Sequence, residues 1–396
     1  MKFLHTSDWH LGRALKGHDL SLAQQDALDT LVEAAIARDV DVFVIAGDIF
    51  DRAFPSVEDI RRLRSALTRV HAAGIQIICT AGNHDEGARL AAFANLLHAK
   101  VAVVGEYDQV GDAVVIEDEH GPVVFYPLPY LDPDAGRRAL ATPGEEMLGR
   151  SHEAVMSAAM GRVREDLTQR QQANPNTRAV VIAHAFVIKG EERPEESDSE
   201  RNIAVGGIPY VPSAVFDGVD YVALGHIHGP RTIQETSPMI RYSGSLLRYS
   251  ISETKHEKSA TIVDINSDGT CQLELVPVPQ PAGMTRLRGE LQELVSGTYE
   301  THYEDFVEIK LTDKLIPENH YAQLAQVFTR ILSVTFERDE RNRLGEGYDQ
   351  AGNVTEIPPI DLLRTFYSQH EGEEMDADME AILTDALEEA LKAEEK

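Results

Sequence analysis

Asp8 and His10 stand two positions apart in the stretch HTSDWHLG, directly after an apolar run. Both side chains are metal ligands of the oxygen/nitrogen kind. The same pairing of an apolar run with a polar terminus recurs along the chain. VDVFVIAGD ends on Asp48, IQIICTAGNHD on Asn83, His84 and Asp85, AVVIAHAF carries His184, and VDYVALGHIH carries His226 and His228. Five of the fifteen histidines therefore sit at the ends of expected strands, a setting that His71, His98 and His152 do not share. Each residue alone has a plain structural reading: Asp8 forms a turn, Asp48 caps a helix, Asn83 accommodates turn geometry. Together they are too many donors for one tetrahedral ion. They suit two ions about 3.5–4 Å apart, which need a bridging carboxylate. Asp48, from a central strand, is the natural bridge. With no thiolate in the set, Mn²⁺, Fe²⁺ and Zn²⁺ all remain open. Two such ions clamp a phosphate and lower the pKa of a shared water for in-line attack on phosphorus.

The elements that must position these groups alternate. KFLHTSDWH opens as a strand; SLAQQDALDTLVEAAIARD follows as a helix, with Ser21 placed to cap it and Leu28, Leu31, Val32, Ala35 and Ile36 on one stripe. VDVFVIAGD is a buried strand, and SVEDIRRLRSALTRVHAAG a helix with Val57, Ile60, Leu63, Leu67 and Val70 expected to face inward. Strand–helix–strand order implies parallel pairing through right-handed crossovers, and an open parallel sheet collects functional groups beyond the carboxyl ends of its strands. Further strands are expected at VVFYPLPYL, MIRYSGS, SATIVDI and CQLELVPV, with a helix over 151–171. The fold class expected is α/β: two packed sheets with helices outside, over residues 1–276. VPVPQPAG reads as a linker. Beyond it a smaller α+β unit is expected over 284–357, with strands DFVEIKLTD and ILSVTFE around a helix near PENHYAQLAQVF, and then two amphipathic helices within 358–396. Their apolar stripes are Leu362, Leu363, Phe366 and Tyr367, then Ile382, Leu383, Ala386, Leu387 and Leu391.

With 396 residues the chain is expected to hold two or three domains. It offers no apolar stretch of membrane-spanning length and no secretory leader, and two cysteines, Cys79 and Cys271, make a disulfide framework implausible. A cytoplasmic protein without a membrane partner is expected. The net charge of −29 argues against simple backbone binding of nucleic acid. Residues 371–396 hold eleven acids and two lysines, and the rest of the chain still carries −20. Bound divalent cations reverse such a field locally.

The blocks D-x-H, GD-x-x-D, GNHD, a lone His and GH-x-H, in this order, resemble the calcineurin-like metallophosphoesterase superfamily. HTSDWHLG, GDIFDR and SDSERNIAVGG are similar, more narrowly, to the nuclease subunits of bacterial SbcCD double-strand-break repair complexes, nearly end to end. The resemblance implies a four-layer α/β/β/α sandwich with a capping domain and a helical tail. It implies that Asp8, His10 and His228 hold one metal, Asn83, His184 and His226 the other, and that Asp48 bridges. His84 would stay off the metals, steady the transition state and help protonate the leaving 3′-oxygen, with Asp85 orienting it and Asp51 in a similar supporting part. Two Mn²⁺ ions, 3′-to-5′ exonuclease cleavage of duplex ends and endonuclease cleavage of hairpins or blocked ends are implied too. So are DNA and the SbcC ATPase as partners, the latter gripped by the helix–loop–helix tail, and a homodimer within a heterotetramer, formed through helices near 56–73 and 87–98. A cytoplasmic, nucleoid-associated location follows. An SbcC subunit that supplied the DNA-binding surface would explain a nuclease subunit that is not basic.

Two other function classes keep the fold. The site could serve a phosphodiesterase or phosphatase of small molecules or phosphoproteins; GDIFDRAF lacks the glycine that follows Asp-Arg in the protein-phosphatase pattern GD-x-x-DRG. The chain could also be a scaffold without chemistry, for which a missing ligand would have been the sign.

Overall fold

The computed structural model describes residues 1–337 apart from 93, 97–99, 143, 145, 191, 193, 195, 201, 202 and 204–209; beyond 337 it describes 360, 364, 379, 380, 383 and 384. The chain divides into two units, Met1–Met284 and Thr285–Lys396.

In the first unit, β1 (Lys2–Thr6), β2 (Val42–Ala46), β3 (Gln76–Thr80) and β4 (Val101–Val104) pair in parallel in that order. Helices α1 (Ser21–Ala37) and α2 (Val57–Ala72) make the first two crossovers, and α3 (Gly87–Leu90) precedes β4. A second sheet follows, from β5 (Val114–Asp118), β6 (Gly121–Pro127) and, after α4 (Pro133–Ala139) and α5 (His152–Ala173), β7 (Arg178–His184). β8 (Phe186–Ile188) and β9 (Tyr210–Pro212) form a small separate pair, and β10 (Tyr221–Gly225), β11 (Arg231–Gln234) and β12 (Met239–Tyr242) complete the second sheet in the order β11-β12-β10-β7-β6-β5. β13 (Ser259–Ile265) then lies antiparallel to β1, and β14 (Cys271–Pro277) pairs with β13 at the edge of the first sheet.

Alternation along the strands sorts the side chains into layers. Phe3, Val42, Val44 and Ile78 of the first sheet bury against Val123, Phe125, Val180, Ile182 and Tyr221 of the second. The Phe3 ring stands edge-on to Phe125 and Tyr221, with centroids 5.6 and 5.4 Å away. The other face of the second sheet, with Val124, Val181, Val222 and Leu224, takes Met156, Val163 and Leu167 of α5. Each such fully buried side chain contributes about 1.5–3 kcal/mol, so the central strands are held from both sides and their ends are fixed in place.

Some expectations need correction. Ser21 does not cap α1: the N-cap is Leu20, and the Asp19 carboxylate instead accepts from the Ser21 N–H at 2.9 Å. Leu28, Leu31, Val32 and Ala35 are buried as expected, but Ile36 is exposed. On α2 the expected inward stripe splits along its length: Val70 is buried and Leu63 and Leu67 are half-buried, but its first two members face outward. Val57 and Ile60 are 62% and 47% exposed, and the buried positions are Asp59, Ala66 and Val70. In the first turn it is Asp59 that is buried, accepting from the Ser56 hydroxyl and from Arg62, so apolar spacing misassigned the start of the helix and not its end. Cys79 and Cys271 are free thiols. Among the described residues no helix is long and apolar enough to cross a membrane.

The second unit holds a three-stranded sheet, β15 (Met284–Gly289), β16 (Phe306–Leu311) and β17 (Arg330–Phe336), in that order, with β16 and β17 parallel. The short helices α6 (Leu291–Leu294) and α7 (His320–Leu324) accompany it, over a core of Leu287, Leu294, Val307, Ile309, Leu324 and Phe328. The strand β15 was not expected, and the helix near PENHYAQLAQVF is shorter than its apolar spacing suggests. The two expected tail helices lie outside the described residues except at isolated positions, where Arg364 pairs with Glu380.

Candidate metal centre

Five strand ends meet at one place. Asp8 and His10 follow β1, Asp48 follows β2, Asn83, His84 and Asp85 follow β3, His184 closes β7, and His226 and His228 follow β10. His184 lies directly opposite Gly225 in the β7–β10 register.

Local backbone geometry aims these groups. Asp8, His10, Asp48 and His226 all have positive φ, at 51°, 45°, 50° and 104°. A left-handed conformation costs about 1–2 kcal/mol per non-glycine residue, so something must hold it. Between Asp8 and His10, Trp9 points the opposite way. It is fully buried, packs edge-on to Phe43 and donates from its indole nitrogen to Thr6 Oγ1 at 2.9 Å. An anchor of that size, worth about 3–5 kcal/mol on truncation, is enough to hold both turns. Two glycines are dictated by proximity. A Cβ on Gly47, whose φ is +84°, would lie 2.4 Å from His184 Nδ1, and one on Gly82 would lie 2.1 Å from Asp48 Oδ1.

The donor atoms converge. Those of Asp8, His10 and His228 lie within 4.8 Å of one another, as do those of Asp8, Asp48 and His184, and those of His10, Asp48 and His84. His10 Nε2 and His228 Nε2 are 3.0 Å apart, and His10 Nε2 is 3.7 Å from Asp48 Oδ2. Asn83 Oδ1 lies 2.9 Å from His184 Nε2 and 3.2 Å from His226 Nδ1. Asp8 receives the His226 N–H on both oxygens, at 3.0 and 3.2 Å, and a hydroxyl from Ser7 at 2.5 Å. All of these except the half-buried Asn83 and His84 are buried.

The donor chemistry fits divalent cations. His184 Nδ1 donates to the Ala46 carbonyl at 2.9 Å. In the neutral ring Nε2 is then a bare acceptor, and it faces two further acceptors, Asn83 Oδ1 and Asp48 Oδ2 at 3.4 Å. Acceptors crowd together in a dry interior only around a cation or a proton. Without a metal a proton on His184 fills that place, and a bound cation would displace it. Burial opposes protonation of His184, yet the charge and hydrogen bond of Asp48 raise it to about 9. Burial likewise opposes ionisation of Asp48, but His184, His10 and His84 outweigh it and hold that carboxyl well below the usual range. Asp8 is pushed up to about 7, by burial first and by the neighbouring Asp48 among lesser causes. Burial holds His10 and His226 well below their ordinary value and lowers His228 to about 4, so all three rings are neutral, as ligands must be.

His84 lies at the edge of this cluster. Its N–H donates to Asp48 Oδ1 at 2.8 Å, its Nδ1 to the Asp51 carbonyl at 2.9 Å, and its ring stands edge-on to His10. The expectation that Asp85 orients His84 is corrected here. The Asp85 carboxylate accepts from the N–H groups of Ile49, Phe50 and Gly82 at 3.1, 3.0 and 2.9 Å, tying the loop after β2 to the loop after β3. It is the Asp51 backbone that holds the His84 ring. The Asp51 carboxylate lies 3.6 Å from His10 Nδ1 and 3.7 Å from Arg13. Among the histidines set aside in the sequence, His152 is a buried ring bonded to the Ile203 carbonyl at 2.9 Å.

Four supporting residues went unnoticed in the sequence. His228 Nδ1 meets the Ser199 hydroxyl at 2.6 Å and Glu253 Oε1 at 3.3 Å, and the His228 N–H donates to Glu200 at 2.6 Å. Lys258 donates to Glu253 at 2.5 Å and to the His228 carbonyl at 2.8 Å. With Nδ1 occupied, Nε2 of His228 faces the centre. Ser199 and Glu200 belong to SDSERNIAVGG, quoted above only for its resemblance; Glu253 and Lys258 carry no sequence signal.

The family model for calcineurin-like phosphoesterases matches residues 1–230, more than half of the chain, and the chain belongs to that family. Its members are metal-dependent phosphoester hydrolases. A second model, SbcD_C, described as the type 5 capsule protein repressor C-terminal domain, matches residues 280–371. Similar solved structures include TT1561 of Thermus thermophilus, at 15% identity over 69% of this chain and 98% of its own, with a TM-score of 0.38. A dimetal phosphatase from Danio rerio is similar at 12% identity over 71% of this chain and 97% of its own, with a TM-score of 0.42. GAP50, the anchor in the inner membrane complex of Plasmodium, is similar at 10% identity over 70% and 84%, with a TM-score of 0.37.

Proposed function

We propose that this chain is an SbcD-type DNA nuclease of a double-strand-break repair complex. It would cut duplex ends as a 3′-to-5′ exonuclease and hairpins or blocked ends as an endonuclease, by two-metal phosphodiester hydrolysis. The observation that carries the reading is the convergence of Asp8, His10, Asp48, Asn83, His184, His226 and His228, oxygen and imidazole donors crowded into one largely buried place, in a chain whose C-terminal part matches the SbcD_C model.

On this reading Asp8, His10 and His228 hold one cation, Asn83, His184 and His226 the other, and Asp48 both. Two bound Mn²⁺ ions would supply Lewis-acid stabilisation of the phosphoryl oxygens and a more acidic attacking water. The chain's own residues do the rest. Ser199 and Glu253 fix the His228 ring, and Ala46 fixes that of His184. His84, held through Nδ1 by Asp51, presents Nε2 toward the reacting phosphate; as an imidazolium it delivers that proton to the leaving 3′-oxygen and is left neutral.

The finer architecture is proposed with it: a four-layer α/β/β/α nuclease domain over 1–276, a capping domain over 284–357 and an SbcC-binding tail over 358–396, in a cytoplasmic complex. A homodimer through helices near 56–73 and 87–98 is proposed too; the exposed apolar residues Phe54, Val57, Ile60 and Leu96 in and beside those segments support it. SbcC would supply much of the DNA-binding surface that a chain of charge −29 lacks.

Labelled duplex and hairpin DNA, incubated with the full chain and Mn²⁺, with and without SbcC and ATP, tests this. Shortening from 3′ ends and hairpin opening, abolished by EDTA, are expected. Cleavage of small phosphoesters with both DNAs left intact under every condition would replace the nuclease reading with a phosphatase or small-molecule phosphodiesterase.

A further inference from the structure

A cavity of about 460 Å³ in the first unit is walled by Gly229, Arg231, Arg241, Lys255, His256 and Ser259, among others. Gly229 directly follows His228 and packs against His256, whose ring a Cβ at Gly229 would meet at 3.2 Å. The lining thus includes the residue that directly follows the proposed ligand His228.

Arg241 is the informative member. It lies on β12, is 7% exposed, and is held by two neutral hydroxyls: its Nε donates to Thr261 and its Nη1 to Thr232, each at 2.9 Å. Among the described residues no carboxylate lies within ion-pairing distance of it. A guanidinium remains charged in any protein interior and has five N–H donors, and an unpaired buried charge is costly unless something neutralises it. Contrast Arg178, equally buried, which the Asp118 carboxylate grips with both oxygens. Around Arg241 the wall adds the cations Arg231 and Lys255 and the imidazole of His256, which lies 3.9 Å from the buried Glu253 carboxylate, against one exposed carboxylate, Glu257. In a chain of net charge −29, a concentration of cations about a cavity is a local reversal of the field, and planar guanidinium groups suit tetrahedral oxyanions.

We propose that this cavity binds a phosphate-class oxyanion, supplied by the backbone of a polynucleotide whose neighbouring phosphodiester lies at the metal centre. The choice of a polynucleotide as source rests on the nuclease reading above; the oxyanion site itself does not. Arg241 makes the buried contact, and Arg231 and Lys255 draw the strand in from the rim.

The test uses the full chain stripped of metal with EDTA, so that the metal centre does not contribute. Binding of inorganic phosphate is measured by calorimetry and binding of a labelled short duplex by fluorescence anisotropy. The variants are Arg241→Gln and the rim double variant Arg231→Ala with Lys255→Ala, each with a thermal melt to confirm folding; the rim variant serves if Arg241→Gln does not fold. Wild-type chain is expected to bind phosphate, and the variants to bind phosphate and duplex at least about tenfold more weakly. Loss of phosphate binding with unchanged duplex affinity would overturn the polynucleotide source in favour of a free anion. No phosphate binding by the wild type, or equal binding by the folded variants, would overturn the site. Duplex digestion by the Mn²⁺-loaded wild type alongside that negative result would leave the nuclease reading intact, and phosphate binding by a chain that digests no DNA would remove the polynucleotide source alone.

Discussion

His10 and His228 face each other Nε2 to Nε2 across 3.0 Å, although 218 positions separate them in the chain. His10 is carried by the loop after β1 in one sheet and His228 by the loop after β10 in the other. Their encounter depends on the packing of the two sheets through Phe3, Phe125 and Tyr221. The other nitrogen of His228 is occupied by Ser199 and Glu253, so the pair turns its free nitrogens inward.

That support is testable at Glu253. Glu253→Gln keeps the shape but removes the charge that faces Lys258 and His228 in a fully buried place. Losing such a partner behind a metal-binding histidine costs about 10–100-fold in metal affinity. Calorimetric titration with Mn²⁺ is expected to find one of two sites weakened by that factor. Unchanged affinity at both would assign Glu253 to stability alone.

His84→Ala removes a ring at the margin of the cluster and leaves all seven proposed ligands. Mn²⁺ binding is expected to survive, while hydrolysis falls by about 10²–10⁴-fold, the range for a lost general acid. Loss of metal and activity together would make His84 a ligand, which its distance from His10 and Asp48 would then explain.

A third expectation concerns stability and pH, far from the centre. Asp118 grips Arg178 with both oxygens, at 3.0 and 2.5 Å, and the Met1 amino group lies 2.9 Å away. Burial opposes ionisation of Asp118, but these two cations outweigh it and hold its carboxyl well below the usual carboxylate range. A depressed folded-state pKa means stability that is present above about pH 4 and lost as pH falls below it. Asp118→Asn strands the buried Arg178 and is expected to cost about 3 kcal/mol at neutral pH. Its acid denaturation should also lack the part of the pH dependence that the wild type shows below about pH 4. Urea melts across that range check both; identical curves would mean that the backbone carbonyls around Arg178 suffice.

Removing residues 359–396 tests the proposed partner. Cleavage of a generic aryl phosphodiester is expected to continue, and co-purification with SbcC to disappear. Retained co-purification would move the SbcC contact to another part of the chain.

The sequence was most legible where an apolar run ended on a polar residue. Strand ends are short-range features, and a parallel sheet brings them to one edge, so Asp8, Asp48, Asn83 and His228 could be collected from the residues alone. Roles that depend on long-range contacts were not legible. Asp85 looked like a partner for its neighbour His84 and instead ties two loops through three backbone N–H groups. Glu253 and Lys258 form a buried ion pair behind His228, yet in ISETKHEKSA they look like any solvated charges. Val57 and Ile60 have core-like spacing and lie exposed, because spacing reports which residues share a helix face and not what covers that face.

The most direct test of the two-cation centre is anomalous diffraction from crystals of the full chain grown with Mn²⁺. The account predicts two peaks about 4 Å apart, with Asp48 touching both, Asp8, His10 and His228 around one, and Asn83, His184 and His226 around the other. A single peak, or peaks away from these side chains, would contradict it.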